Sequence, residues 1–173
     1  MASAETEALV VCDAGPIIHL DELACLDLLN SYQKIWVPEA VWQEVKRHRP
    51  SALRRRRIRF TRITAAPSPT PELAAIVTML PIHEGELAAL CLLQSRPRAT
   101  LLSDDRAARE AADRLGLKVK GTIGLILDAV DSGSRTRRQI VNLLRSIPRR
   151  TTLHITSGLL ANLIVRAREG GSE

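Results

Sequence analysis

Five acidic residues of this chain stand where a carboxylate can do chemistry rather than merely solvate a surface. Asp13 closes the apolar run Leu9-Val10-Val11-Cys12, and Gly15-Pro16 then ends the strand and opens a helix. In an open parallel sheet, ligands bind just beyond the carboxyl ends of strands, so an acid at that place stands at the mouth of a site. Glu44 lies on the helix after the second strand, in Val37-Pro38-Glu39-Ala40-Val41-Trp42-Gln43-Glu44-Val45. Glu86 opens a later helix in His83-Glu84-Gly85-Glu86-Leu87, and Asp104-Asp105 follow the fourth strand, Leu101-Leu102-Ser103. Each has a plainer reading. Asp13 and Asp104 would cap the helices that follow them, Glu86 would favour a helix dipole, and Glu44 would be a solvated helix residue. Carboxylates brought together resist ionising unless a cation neutralises them, and oxygen donors suit Mg²⁺ or Mn²⁺ rather than zinc.

The elements that must position these acids follow from the spacing of apolar residues. Residues 8–12 predict a first buried strand, and residues 16–30 carry Ile17, Ile18, Leu20, Leu23, Leu26 and Leu29 at helical spacing, as one helix or two short ones. Lys34-Ile35-Trp36-Val37 predicts a second strand, stopped by Pro38 in the first turn of a helix whose Val41 and Val45 share a face. Residues 58–63 alternate with period two, as a half-exposed edge strand does. A proline-rich loop over 65–71 leads to a short helix over 72–80 and an Ala- and Leu-rich helix over 84–95. Thr100 to Ser103 predicts a fourth strand, followed by a helix over 105–115 with Gly116 as its C-cap, and Leu117-Lys118-Val119 a last strand. Helices are expected at about 122–132, 135–146 and 156–168. This alternation predicts a three-layer α/β/α sandwich around a mainly parallel sheet. Residues 1–173 are expected to form one domain. The helices from about 122 would pack on it or form a dimer face through Ile140, Leu143, Leu144 and Ile147 and through Leu159, Leu160, Leu163 and Ile164.

With 173 residues, 45% of them hydrophobic, the chain can bury a substantial core. No apolar run reaches bilayer length, and Met1-Ala2-Ser3-Ala4-Glu5-Thr6-Glu7 does not read as a signal peptide. Cys12, Cys25 and Cys91 are scattered among apolar residues and read as buried thiols of a reducing cytoplasm. The net charge of +6 points to a polyanionic partner. Its distribution says more. Lys46, Arg47, His48 and Arg49 lead into Arg54, Arg55, Arg56 and Arg57, then Arg59 and Arg62, and a second basic group runs from Arg135 to Arg150. The density over 46–62 exceeds what solubility requires and favours phosphate contact through Arg47 and Arg54–Arg57. Aromatic residues make up only 2%, which argues against base-stacking modules of the RNA-recognition or OB type.

The segments D-A-G-P-I-I-H-L, V-P-E-A-V-W-Q-E-V, E-G-E-L-A-A-L, L-L-S-D-D-R-A-A-R, G-T-I-G-L-I-L-D-A and S-G-L-L-A-N-L span nearly the whole chain. In combination they resemble the PIN-domain nucleases, in the branch of nucleic-acid-binding PIN proteins close to the toxins of bacterial and archaeal toxin–antitoxin pairs. The resemblance implies a five-stranded sheet of order 3-2-1-4-5. That order makes strands 1 and 4 neighbours at the topological switch point and sets Asp13 across the crevice from Asp104-Asp105. It implies catalytic roles for Asp13, Glu44, Glu86 and Asp105, with Ser103 in a supporting Ser-x-Asp turn. It also implies a Mg²⁺ or Mn²⁺ ion held by Asp13, Glu86, Asp104 and Asp105, the last two sharing or dividing the task. The chain departs from the branch at Ala88, where a second glutamate is common.

The function so implied is a divalent-metal-dependent ribonuclease, endonucleolytic, and the toxin of a toxin–antitoxin pair. Its partners would be RNA, a small antitoxin and a second copy of the chain, with no membrane. The ion would activate water and offset charge at the phosphate, and the basic residues would hold the strand without reading its sequence. A nucleic-acid-binding protein of PIN-like fold with weak or no activity would use the same basic surface, but retention of all four acidic positions favours activity. Phosphotransfer with Asp13 as nucleophile fits less well. Haloacid-dehalogenase-like phosphatases want a second Asp two residues on, where Gly15 stands, and receiver domains do not account for Pro38 to Glu44 or the basic surface.

Overall fold

The computed structural model describes residues 9–55 and 57–169. Its sheet contains β1 (Leu9–Cys12), β2 (Lys34–Pro38), β3 (Phe60–Ile63), β4 (Thr100–Leu102) and β5 (Val119–Lys120). Every pairing is parallel, and the order is β3-β2-β1-β4-β5. The chain therefore reverses its direction of winding between β1 and β4, which are neighbours in register from Val10 opposite Thr100 to Cys12 opposite Leu102. One edge of the sheet collects all the strand carboxyl ends, and the opposite edge all the amino ends.

Ten helical segments surround the sheet among the described residues. They are α1 (Ala14–Glu22), a 3-10 turn at Leu26–Ser31, α2 (Glu39–His48), α3 (Pro50–Leu53), α4 (Pro71–Val77), α5 (Glu84–Gln94), α6 (Arg106–Arg114), α7 (Thr122–Asp131), α8 (Arg137–Arg150) and α9 (Ser157–Glu169). Alternation along the strands divides the core in two. Val10, Cys12, Ile35, Val37 and Leu102 pack with Ile17, Leu20, Ile126, Ile140 and Leu144, while Val11 and Leu101 pack with Leu73, Leu90, Leu93 and Ala111. Helices thus cover both faces, as an all-parallel sheet requires.

Several boundaries differ from the reading of the sequence, each for a local reason. Of the two forms expected for 16–30, one helix or two short ones, the chain takes the second, because it turns at Ala24 with φ 56°, a left-handed conformation that a helix cannot continue through. The third strand begins at Phe60, since the amide of Ile58 bonds back to the carbonyl of Arg55 in a turn. Helix α3 was not expected. Pro50 opens it at a first-turn position, where its missing N–H costs nothing. Helix α8 runs on past residue 146 and includes Pro148. Its apolar stripe turns inward. Ile140, Leu144 and Ile147 are fully buried, and Leu143 packs on the same cluster. On α9, Leu163 is buried and Leu160 and Ile164 pack beside it, leaving Leu159 exposed. Most of the surface expected to serve a dimer is this chain's own core.

Candidate functional site

Asp13 follows β1 directly, and its backbone keeps the sheet pairing, donating to the carbonyl of Leu102 at 2.9 Å. It is also the N-cap of α1, with extended backbone and a side chain that accepts from the amide of Ala14 at 2.8 Å. Its second carboxylate oxygen accepts from Ser103 Oγ at 2.8 Å across the crevice between β1 and β4. Ser103 is fully buried, and its Oγ in turn accepts from the amide of Asp105 at 3.2 Å. The capping and site positions therefore coincide at Asp13. Only 5% of it is exposed, and burial pushes its carboxyl up to about 6 from 3.8, against the lowering effect of the Ser103 and Ala14 hydrogen bonds. The charges of Glu86 and Glu44 push it further in the same direction.

Those two glutamates come from helices that meet at the carboxyl edge. Glu86 sits in the first turn of α5, where one of its oxygens accepts from the His83 amide at 2.6 Å and lies 3.2 Å from His83 Nδ1. That bond closes the helix start in the manner of a capping box. Glu44 lies on α2 against the same turn. A Cβ at Gly85 would stand 3.2 Å from Glu44 Oε2 and 3.5 Å from Val41, so the close contact of the helices depends on a residue without a side chain. Glu44, Arg47, Gly85 and Glu86 line an open hollow of about 660 Å³.

The two adjacent aspartates part company. Asp105 caps α6, its Oδ1 accepting from the Ala108 amide at 2.7 Å. Asp104 turns toward α1 and α7. One oxygen accepts from the Thr122 amide at 2.7 Å, and the other meets Thr122 Oγ1 at 2.5 Å and His19 Nδ1 at 2.8 Å. Burial pushes this carboxyl up, but the bonds from His19 and from the side chain and backbone of Thr122 outweigh it and hold the group below its ordinary range. Gly121 makes room for that contact, since a Cβ there would lie 2.9 Å from Asp104 Oδ1. His19, Gly121 and Thr122 all lie in the quoted motifs, yet nothing local marked them as partners of an acid 85 residues from His19. Among the described residues, no three His, Cys, Asp or Glu groups already stand close enough to enclose a metal ion.

The basic residues divide as well. Arg47 lines the hollow with Glu44 and Glu86. Arg54, Arg55 and Arg57 belong to the connection that enters β3, so they sit at the amino edge, opposite Asp13. The five residues of β2 put about 15 Å between the two edges at about 3.3 Å per residue. Arg55 donates to Asp21 Oδ1 through Nε and Nη2 at 3.2 and 3.0 Å, while Arg49 and Ser51 hold the other oxygen at 2.8 and 3.2 Å. Arg62 grips Glu39 through two bonds and lies over the Trp42 ring. Arg56 lies outside the described residues. Parallel topology alone contained this division, because a loop entering a parallel strand cannot share an edge with the residue that leaves one.

A family model described as a PIN domain matches residues 9–169. The chain belongs to the PIN-domain family. PIN domains are generally nucleases, and membership gives this chain a nuclease-like character in which the carboxyl edge of β1 and β4 is the place to look for chemistry. No curated protein and no solved structure matched the chain. No helix among the described residues is long and apolar enough to cross a membrane.

Proposed function

We propose that this PIN domain is a divalent-metal-dependent ribonuclease whose reacting phosphate lies at the carboxyl edge between β1 and β4. The observation that carries the reading is Asp13, a carboxylate buried at the topological switch point under the combined charge of Glu44 and Glu86. A buried anion pressed by two others is a place that a cation stabilises. The donor set is entirely oxygen, which suits Mg²⁺ or Mn²⁺. Asp13, Glu86 and Asp105 would hold the ion, which when bound supplies Lewis acidity and charge neutralisation at the phosphodiester.

The chain's own residues prepare that site. Ser103 holds Asp13 and the backbone of Asp105 together through a single hydroxyl. Glu44 adds negative charge from α2 and orients water beside Asp13. Asp104, with both oxygens occupied, serves as a tether that joins His19 in the last turn of α1 to the start of α7 beside the crevice rather than as a ligand. Arg47 stands close enough to the hollow to hold a phosphate of the bound strand.

The competing reading, a nucleic-acid-binding protein without turnover, draws on the lack of a ready-made three-carboxylate cluster among the described residues. Incubation of purified protein with mixed RNA in Mg²⁺ or Mn²⁺ separates the two. Cleavage that stops with EDTA, and that Asp13→Asn abolishes while RNA binding persists, supports the nuclease. Binding without cleavage in either metal supports the alternative. By its resemblance to the toxin branch, the active protein would arrest growth on expression and be relieved by a small protein encoded beside it. Failure of a neighbouring frame to relieve arrest removes that extension and leaves the enzymatic reading untouched.

A further inference from the structure

At the amino edge, the turn before β2 and the loop before β3 enclose a hollow of about 200 Å³ whose lining includes Asn30, Tyr32, Gln33, Ile35, Arg57 and Arg59. Arg57 and Arg59 are exposed, and their side chains make no hydrogen bond or ion pair among the described residues. The loop that carries them is not free. Its start is clamped where Arg49, Ser51 and Arg55 converge on Asp21, whose side chain is 1% exposed. The two guanidinium groups are thus presented from an anchored segment, at a lower ordering cost on binding than from a loose one.

The chemistry of the lining is specific. Guanidinium forks suit phosphate oxygens. Asn30 and Gln33 are exposed amides that both donate and accept, as base edges require. We propose that this hollow and its arginines form a docking subsite for single-stranded nucleic acid, separate from the carboxylates and about one sheet height away from them. An acidic protein segment would satisfy the arginines through its carboxylates and meet the amides only through its backbone, whereas a single strand sets phosphates against the arginines and base edges against Asn30 and Gln33 together. Helix α2 joins the two places, for it starts at the carboxyl edge and carries Lys46, Arg47 and His48 in its last turn. The inference rests on the nuclease reading only for what happens at the far end. A strand engaging both places must cover about 15 Å, which at about 3.4 Å per stacked nucleotide is about five nucleotides or more.

The test measures binding in EDTA, by fluorescence anisotropy of labelled RNA on the full chain, so that cleavage does not intervene. Arg57→Gln/Arg59→Gln should weaken binding of a strand of about 20 nucleotides by about tenfold and flatten the slope of log affinity against log salt by about 1.4, two phosphates at about 0.7 each. Asn30→Ala/Gln33→Ala should weaken the single strand, spare a duplex of equal length and leave the salt slope as it was. All four side chains are exposed, and an unchanged melting temperature certifies the fold. In Mg²⁺, the arginine variant should raise KM for the long strand with kcat kept and leave a strand of about four nucleotides unaffected. If parent and variant alike cleave nothing, the nuclease reading fails while anisotropy still decides the docking. Unchanged affinity and slope in the arginine variant would overturn the proposal. So would equal loss for strand and duplex in the amide variant, or full displacement of RNA by polyglutamate of equal charge.

Discussion

The carboxylate that caps α1 is the one proposed for the site, and the protonation of Asp13 makes the two roles separable. Below about pH 3 the group is protonated in the folded and unfolded chain alike. As pH rises, the unfolded chain ionises near 3.8 while burial holds the proton in the folded chain up to about 6. The folded state binds more protons through that window, so metal-free stability falls with rising pH and stays lowered above it. Moving a carboxyl from 3.8 to about 6 corresponds to about 3 kcal/mol against the ionised form. Asp13→Asn caps a helix about as well as Asp, and it should therefore be more stable than the parent at pH 7 by up to about 3 kcal/mol and equal to it near pH 3. Chemical denaturation of both proteins in EDTA across that range checks this. A variant less stable than the parent at pH 7 would show that Asp13 is there for the fold.

Among the elements, the anchoring of the segment between α2 and β3 is the feature with the clearest energetic consequence. Asp21, near the end of α1, gathers Arg49, Ser51 and Arg55 from a segment that has little apolar surface of its own. Asp21→Asn removes the charge but keeps the shape. It should cost about 2 kcal/mol, less than the loss of a fully buried pair because both arginines can return to water. In Asp21→Asn, hydrogen exchange should show residues 49–55 opening more readily than in the parent, and unchanged exchange there would contradict the clamp. The elements themselves were largely legible. Apolar runs ending in Asp13 and Ser103-Asp104 mark strands because a buried parallel strand has no polar face, and the alternation of 58–63 marks an edge. Helix α3 was not, since Pro50-Ser51-Ala52-Leu53 is too short to show a stripe. Nor were the ion pairs, because Asp21 finds Arg55, and His19 finds Asp104, only once distant segments have packed.

For the molecule as a whole, charge is sorted by the direction of the strands. Of the acids proposed for the site, Asp13, Asp104 and Asp105 fall directly after strands, and the parallel sheet delivers such residues to one edge. The arginines were readable as a dense run, but their run enters a strand, so the same rule sends them to the other edge. Reading 46–62 as one basic patch merged Arg47, which lines the hollow with Glu86, with Arg57, which lies across the sheet from it. Of the two apolar faces expected to serve a homodimer, the stripe of α8 faces inward, while α9 keeps Leu159 exposed.

The helix starts at the acidic edge have a consequence of their own. Helices α1, α6 and α7 each begin there, capped by or bonded to Asp13, Asp105 and Asp104 in turn, and α5 begins there with Glu86 in its first turn. Each helix start carries about half a positive charge. The edge is therefore an interleaved field of anions and fixed dipoles, suited to a salt made of a cation and a phosphate more than to either ion alone. Manganese should bind the resting protein weakly and more tightly when a phosphorothioate strand is present, and the strand should gain the same factor from manganese, because the coupling is reciprocal. Calorimetric titration of each ligand in the presence and absence of the other reads that factor directly, and a factor of one would mean that the dipoles and the carboxylates act independently.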